Sequence, residues 1–212
     1  MPRRPKTNAD YSAQTQRKLM TAARREFARV GYADAATERI VKAAGLTRGA
    51  LYHHYGGKQE LFAAVFEQLE QEIASRIKVS ASGTTDAFAA LVAGCEAWLD
   101  ACLEAEVQRI VLLDAPAVLG WTRWREVDSQ YSMGLLREGI DACIDEDVLT
   151  QVDASALTHL LSGAMNEAAL LLAQSPEAPK LRRTVGRTLR TLLEGLRRAP
   201  ERGTVLVGRQ FE

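Results

Sequence analysis

Residues 37–58 read TERIVKAAGLTRGALYHHYGGK, from Thr37 to Lys58, and their reading decides the fold. Thr37 has the hydroxyl of a helix N-cap, able to accept one of the unpaired N–H groups of a first turn. Ile40, Val41 and Ala44 follow at helical spacing on one face. Gly45 is the natural stop, because glycine enters the left-handed conformation that ends many helices without a Cβ penalty. Thr47 is a second N-cap and opens a helix through Arg48, Gly49, Ala50, Leu51, Tyr52 and His53. Leu46 and Leu51 lie at N′ and N4 of that helix, the positions of a hydrophobic staple. Two short helices around a tight turn make a helix-turn-helix, whose second helix ordinarily enters a DNA major groove.

Capped helix pairs also occur in all-α proteins that never touch nucleic acid, so the side chains must decide. The second helix has nothing large and apolar on its outer face. It offers Thr47, Arg48, Tyr52 and His53 beside the very small Gly49 and Ala50, which let its N-terminal end approach base edges and phosphates. Lys58 follows one turn beyond Tyr55, within reach of a phosphate. Charge distribution agrees. The formal net charge of the 212 residues is zero, but residues 1–60 carry 12 Lys/Arg against 5 Asp/Glu, a net of +7, and the rest a net of −7. A basic amino-terminal third on an acidic remainder is the asymmetry expected when only one part meets phosphates.

The run from Arg25 to Phe66, REFARVGYADAATERIVKAAGLTRGALYHHYGGKQELFAAVF, closely resembles the DNA-binding domain of TetR-family transcriptional regulators. The resemblance rests on Phe27, Gly31-Tyr32, Thr37 with Ile40, the Ala44-Gly45-Leu46 turn, Gly49-Ala50-Leu51-Tyr52, Tyr55, and Lys58 leading into Leu61-Phe62. It implies an all-α protein: an amino-terminal three-helix DNA-binding domain with a helix-turn-helix, and a carboxy-terminal helical domain for ligand binding and dimerisation. The expected surface for double-stranded operator DNA is Thr37, Glu38, Arg39, Thr47, Arg48, Gly49, Ala50, Tyr52, His53 and Lys58. Arg48 is the best direct base reader, since guanidinium can bind guanine bidentately. Thr37, Tyr52 and Lys58 would grip phosphates.

The rest of the chain is divided accordingly. Residues 1–58 hold an amino-terminal arm, with Arg3, Arg4 and Lys6, and the DNA-binding domain. The arm reads either as a loose tail or as a segment that orders on DNA. A first helix is expected from about Ser12 to Val30, with Leu19, Met20, Ala23, Phe27 and Val30 buried and Gly31 at its end. A connecting helix over residues 59–79 carries Leu61, Phe62, Val65, Phe66, Leu69, Ile73 and Ile77 in helical register, and the resemblance makes it the transmitter of a ligand signal. Residues 80–200 read helical throughout: one helix to about Leu103, one ending before Pro116, one from Trp121 to about Ile144, and two longer ones at 153–173 and 180–198. Residues 201–212 form a tail.

The last two helices carry broad leucine stripes, joined by the sharp turn Ser175-Pro176-Glu177-Ala178-Pro179. Such a hairpin can pack within one chain or close on a two-fold mate as a four-helix bundle. The resemblance implies the second, a homodimer. For an unknown small-molecule effector, the expected pocket residues are Trp98, Cys102, Leu112, Trp121, Trp124, Tyr131, His159, Met165 and Asn166, with Cys95 and Met133 nearby in sequence. Each could equally be ordinary core.

Cys95, Cys102 and Cys143 form no CxxC pair and no zinc spacing, and read as small buried apolar residues, a thiol sensor being the alternative. No metal or cofactor is expected. No Ser/His/Asp, Cys/His or paired-carboxylate set can be assembled, so an enzyme is not expected. The opening residues lack an apolar signal-peptide core and no apolar run approaches a membrane span, so a cytoplasmic protein is expected. The reading is a ligand-responsive repressor that binds a palindromic operator. The alternatives are an activator of the same fold and a helix-turn-helix protein-interaction module.

Overall fold

The computed structural model describes residues 7–150 and 152–198. Arg3, Arg4 and Lys6 of the arm and the tail after residue 200 lie outside these residues. Among the described residues the chain is helical, with one isolated bridge between Leu149 and Arg197 and no strand.

Helix α1 (Asn8–Asp34) begins earlier than its apolar stripe suggests, because Thr7 and Asp10 form a capping box. The Thr7 hydroxyl accepts from the Asp10 N–H at 3.3 Å, and the Asp10 carboxylate accepts from the Thr7 N–H at 2.8 Å. Leu19, Ala23 and Phe27 are buried, while Met20 and Val30 are half-buried. Gly31, at φ 78° and ψ 170°, breaks the helix in a backbone region essentially reserved for glycine.

Helices α2 (Thr37–Ala44) and α3 (Arg48–Tyr55) form the helix-turn-helix. Gly45 is left-handed at φ 65°, and the Thr47 hydroxyl accepts from the Ala50 N–H at 3.2 Å, both as expected. Thr37 is not the cap. Ala36 holds that position without a side-chain bond, and the Thr37 hydroxyl donates to Glu38 at 3.2 Å. Phe27, Ile40, Leu51, Leu61 and Phe62 close the three-helix core, with the Phe27 and Phe62 rings edge-to-face at 5.1 Å.

Helix α4 (Lys58–Ser82) is the spine of the molecule. Its first turns bury Leu61, Phe62, Val65 and Phe66 beside α1 and α3, and its later turns carry Leu69, Ile73 and Ile77 into the carboxy-terminal half. One continuous core therefore spans both halves. Asp86 caps α5 (Ala87–Ala101) through the Ala89 N–H at 2.8 Å.

The helix expected to end before Pro116 continues through it: α6 (Ala105–Val107), a π-helical segment (Gln108–Asp114) and α7 (Ala115–Leu119) run on without a gap. Proline lacks the N–H that an α-helix interior needs, and the π register ends where Pro116 takes the first turn of α7. The helix expected from Trp121 to Ile144 is two, α8 (Trp121–Gln130) and α9 (Ser132–Asp145), broken at Tyr131. Gly134 is needed at this break, since a Cβ there would lie 2.6 Å from the Ser129 carbonyl.

Helices α10 (Ala154–Gln174) and α11 (Ala178–Gly195) form the closing hairpin, with Asp153 capping α10 through the Ala156 N–H at 2.7 Å. By length and composition α10 is apolar enough to cross a membrane, at a mean hydropathy of 1.2, which the sequence reading did not anticipate. It packs on α9, α11 and the π-helical segment.

Candidate nucleic-acid interface and ligand pocket

At the amino terminus of α3, Thr47, Arg48, Gly49, Tyr52 and His53 are exposed and Ala50 is half-buried. A Cβ added at Gly49 would meet only the Thr47 hydroxyl, at 3.7 Å. Glycine inside a helix costs about 1 kcal/mol relative to alanine, and no neighbour among the described residues requires it here. Arg48 is held in place: its guanidinium pairs with Glu38 of α2 at 2.9 Å, donates to the Tyr52 hydroxyl at 3.4 Å and lies 5.7 Å from the Tyr52 ring centroid. Its own backbone N–H, then the Thr37 hydroxyl, hold the Glu38 carboxyl below its usual range, with Arg48 adding to them, and the Tyr52 hydroxyl, then Glu38, raise the Arg48 guanidinium.

The other expected contacts are more committed to the fold. Arg39 reaches back to α1, donating to the Glu26 carboxylate and to the Asp34 carbonyl, each at 2.5 Å. Lys58 donates to the Ala33 carbonyl at 3.3 Å and sits 4.3 Å above the Tyr32 ring. Thr37 is half-buried.

In the carboxy-terminal half, a cavity of 330 Å³ opens between α4, α5, α8, α9 and α10. Trp98, Met165 and Asn166 line it as expected, as do Cys95 and Met133. The other expected residues lie elsewhere. Cys102 is fully buried in the core and Leu112 packs against it. Trp124 is buried, and its Nε1 has no hydrogen-bond partner among the described residues. Trp121 is 64% exposed. Tyr131 donates to Glu67 and accepts from Gln71, both at 2.9 Å. His159 is exposed, its Nδ1 2.9 Å from the Ser155 carbonyl.

The polar end of the cavity escaped the sequence reading. Asp128, Ser132 and Ser162 line it and are buried. Arg125 donates to Asp128 at 2.6 Å and to Ser162 at 3.3 Å, while lying 4.8 and 4.5 Å from the Trp121 and Trp124 centroids. Behind this wall Glu70 of α4, 2% exposed, accepts from Ser132 Oγ at 2.6 Å. Burial, with the nearby Asp128 carboxylate, pushes the Glu70 carboxyl up to about 8. A glutamate at a core position of an amphipathic helix was the signal available in the sequence.

Polar ties join the two halves. Arg24 of α1 binds Glu106 bidentately at 2.9 and 2.6 Å and Glu72 at 2.7 Å. Arg123 of α8 binds Glu60 at 2.8 and 2.6 Å, and Gln59 donates to the Val118 carbonyl at 2.8 Å. On the closing hairpin Leu160, Leu171 and Leu192 remain 72%, 52% and 59% exposed.

Residues 19–65 match the family described as bacterial regulatory proteins, tetR family, and residues 88–196 match the tetracyclin repressor-like, C-terminal domain. The chain belongs to the TetR family of transcriptional regulators. A crystal structure of a TetR-family transcriptional regulator from Pectobacterium atrosepticum is 36% identical, with a TM-score of 0.76 over 92% of this chain and 100% of that one. The HTH-type transcriptional repressor AcnR of Corynebacterium efficiens is 27% identical over 163 residues, 76% of this chain and 85% of that protein. RolR in complex with resorcinol shares the fold, at 17% identity and a TM-score of 0.66 over 92% of this chain and 99% of that one.

This TetR-family protein is a DNA-binding transcriptional regulator, not an enzyme. Its cysteines are free and buried, and desolvation pushes Cys95 up to about 12, Cys143 up to about 11 and Cys102 well above the usual thiol range. Reactivity requires the thiolate, so these thiols are packing groups. Among the described residues no three His, Cys, Asp or Glu side chains converge to hold a metal ion.

Proposed function

We propose that this regulator is a cytoplasmic repressor that binds a palindromic operator as a homodimer and releases it when a small molecule fills the cavity. The observation that carries the DNA-binding surface is the bare amino terminus of α3. Gly49 and Ala50 leave room for close approach, and Arg48 is aimed by Glu38 and Tyr52. Arg48 reads a base, Thr47, Tyr52 and His53 meet phosphate or base edges, and Thr37, Glu38, Arg39 and Lys58 set the pose of the motif.

The dimer reading rests on the exposed leucines of α10 and α11. Three large apolar side chains stand exposed on one hairpin, surface that a two-fold mate would bury. The effector reading rests on the cavity's walls. Ile77, Lys78 and Ala81 belong to α4, the helix that begins at the DNA-binding domain. A molecule that binds better when α4 is displaced shifts the dimer toward a spacing of recognition helices unfit for the operator. RolR, of the same fold, binds resorcinol. Footprinting of the DNA beside the protein's own gene tests the proposal: a protected inverted repeat supports it, and protection of a single half-site contradicts the dimer.

A further inference from the structure

The cavity is two environments in one. Leu91, Trp98, Met133, Leu136 and Met165 make an apolar wall, while Asp128, Ser132, Ser162 and Asn166 gather the polar groups. Apolar walls select hydrocarbon, and a few placed polar groups select its functional group. Lys78 and Glu138 are exposed, stand at the solvent side and carry one charge of each sign. Selection therefore falls to the buried end.

That end has two carboxyl groups and one cation. Arg125 is already committed, to Asp128 Oδ2 at 2.6 Å, Met133 Sδ at 3.1 Å, Ser162 Oγ at 3.3 Å and two tryptophan rings. Asp128 also accepts from the Met133 backbone. Among the described residues Glu70 has no basic partner. The groups facing it are Ser132, Asp128 and the Cys102 thiol, none able to neutralise its anion. An anionic guest would meet Asp128 and gain no free cation. A cationic guest would meet Asp128 directly and, through Ser132, a carboxyl that can lose its proton, leaving the buried end neutral overall.

We infer that the pocket selects mainly apolar molecules bearing one protonated amine, with the nitrogen seated against Asp128 and Ser132. This rests on the cavity being the effector site. Ser132 then joins the guest to Glu70, and Glu70 stands on α4, so occupancy is felt by the helix that carries the DNA-binding domain. The proton leaving Glu70 passes to bulk solvent, and no bond to carbon changes.

Three probes sharing one bicyclic frame test this by titration calorimetry on the full chain: 1-naphthylmethylamine, 1-naphthalenemethanol and 1-naphthoate. The amine is expected to bind at least about tenfold more tightly than the naphthoate, with the alcohol between them. In two buffers of different ionisation heat at pH 7, amine binding should release close to one proton and alcohol binding none. In Glu70→Gln that release should vanish while the alcohol still binds. Naphthoate binding as tightly as the amine, alcohol binding as tightly as the amine, or amine binding without proton release would each overturn the inference. Met165→Trp, which fills the cavity, checks where the amine sits. No binding of the amine to the unaltered protein, or amine binding that survives Met165→Trp, would also overturn the inference, whereas amine that fills the cavity without releasing the operator would contradict the cavity as the effector site.

Discussion

The carboxylate of Asp114 accepts the backbone N–H of Tyr32 at 2.7 Å, tying the last residue of the π-helical segment to the break in α1 at Gly31. The bond satisfies a donor that the broken helix leaves without its usual partner. Asp114→Ala should cost about 2 kcal/mol, the range for a part-buried hydrogen bond to a charged acceptor, lowering the melting temperature by about 4–8 °C. Gly31→Ala should cost of the order of 1–3 kcal/mol from backbone strain, and its Cβ would also crowd the same Asp114 oxygen at 3.3 Å. Thermal melts of both variants check this, and an Asp114→Ala melt equal to the parent's would deny the tie any role.

Arg48 and Lys58 should fail in different ways. Arg48→Ala removes an exposed guanidinium whose partners, Glu38 and Tyr52, are themselves exposed, so the fold should stand. Discrimination should relax at one base position per half-site by about 1–3 kcal/mol. Lys58→Ala strips a cation from the Tyr32 ring and the Ala33 carbonyl, so it should lower stability and weaken binding on every sequence alike. Binding to a panel of single-base operator variants separates the two patterns.

Leu160→Glu and Leu192→Glu place charges on the exposed stripe of the closing hairpin. Each should shift the protein from dimer to monomer in sedimentation and weaken operator binding by about tenfold or more, with little change in helix content. A dimer that persists through the double variant places the interface elsewhere.

Glu70 gives a pH signature. Its carboxyl rises from the ordinary 4.5 to about 8 in the folded protein, chiefly through burial. The folded state thus holds a proton that the unfolded state has lost between those limits, and stability falls as pH rises through the window. Asp128, also raised by burial, adds in the same direction. Glu70→Gln should flatten the slope between about pH 5 and 8. Denaturant unfolding at several pH values measures it.

Much of this architecture can be read from residues 37–58 and the apolar stripes around them. Gly45, Thr47 and the leucines act locally, through turn chemistry and helical spacing, and the structure follows them. What escaped the sequence depended partly on competing local contacts and partly on distant partners. The Thr37 hydroxyl turned to Glu38 instead of capping. The Pro116 stop was bypassed because Pro116 falls in the first turn of α7, directly after the π-helical segment, where its missing N–H is tolerated. The break at Tyr131 arises where Gly134 meets the Ser129 carbonyl and the tyrosine hydroxyl reaches Glu67 and Gln71 on α4. In the cavity, aromatic content was the wrong guide. Trp121 and Trp124 pack on each other with Arg125 against both rings, outside the cavity, and the polar residues that face in, Asp128, Ser132 and Ser162, look like ordinary surface in a linear reading.

Paired α3 helices of a dimer should read an inverted repeat. A salt-titrated binding assay on the footprinted repeat tests it most directly. The account predicts one dimer per repeat, half-sites about 10–10.5 bp apart or a multiple of that, and log K falling steeply and linearly with log salt. Binding that ignores sequence, or none even at low salt, would contradict it.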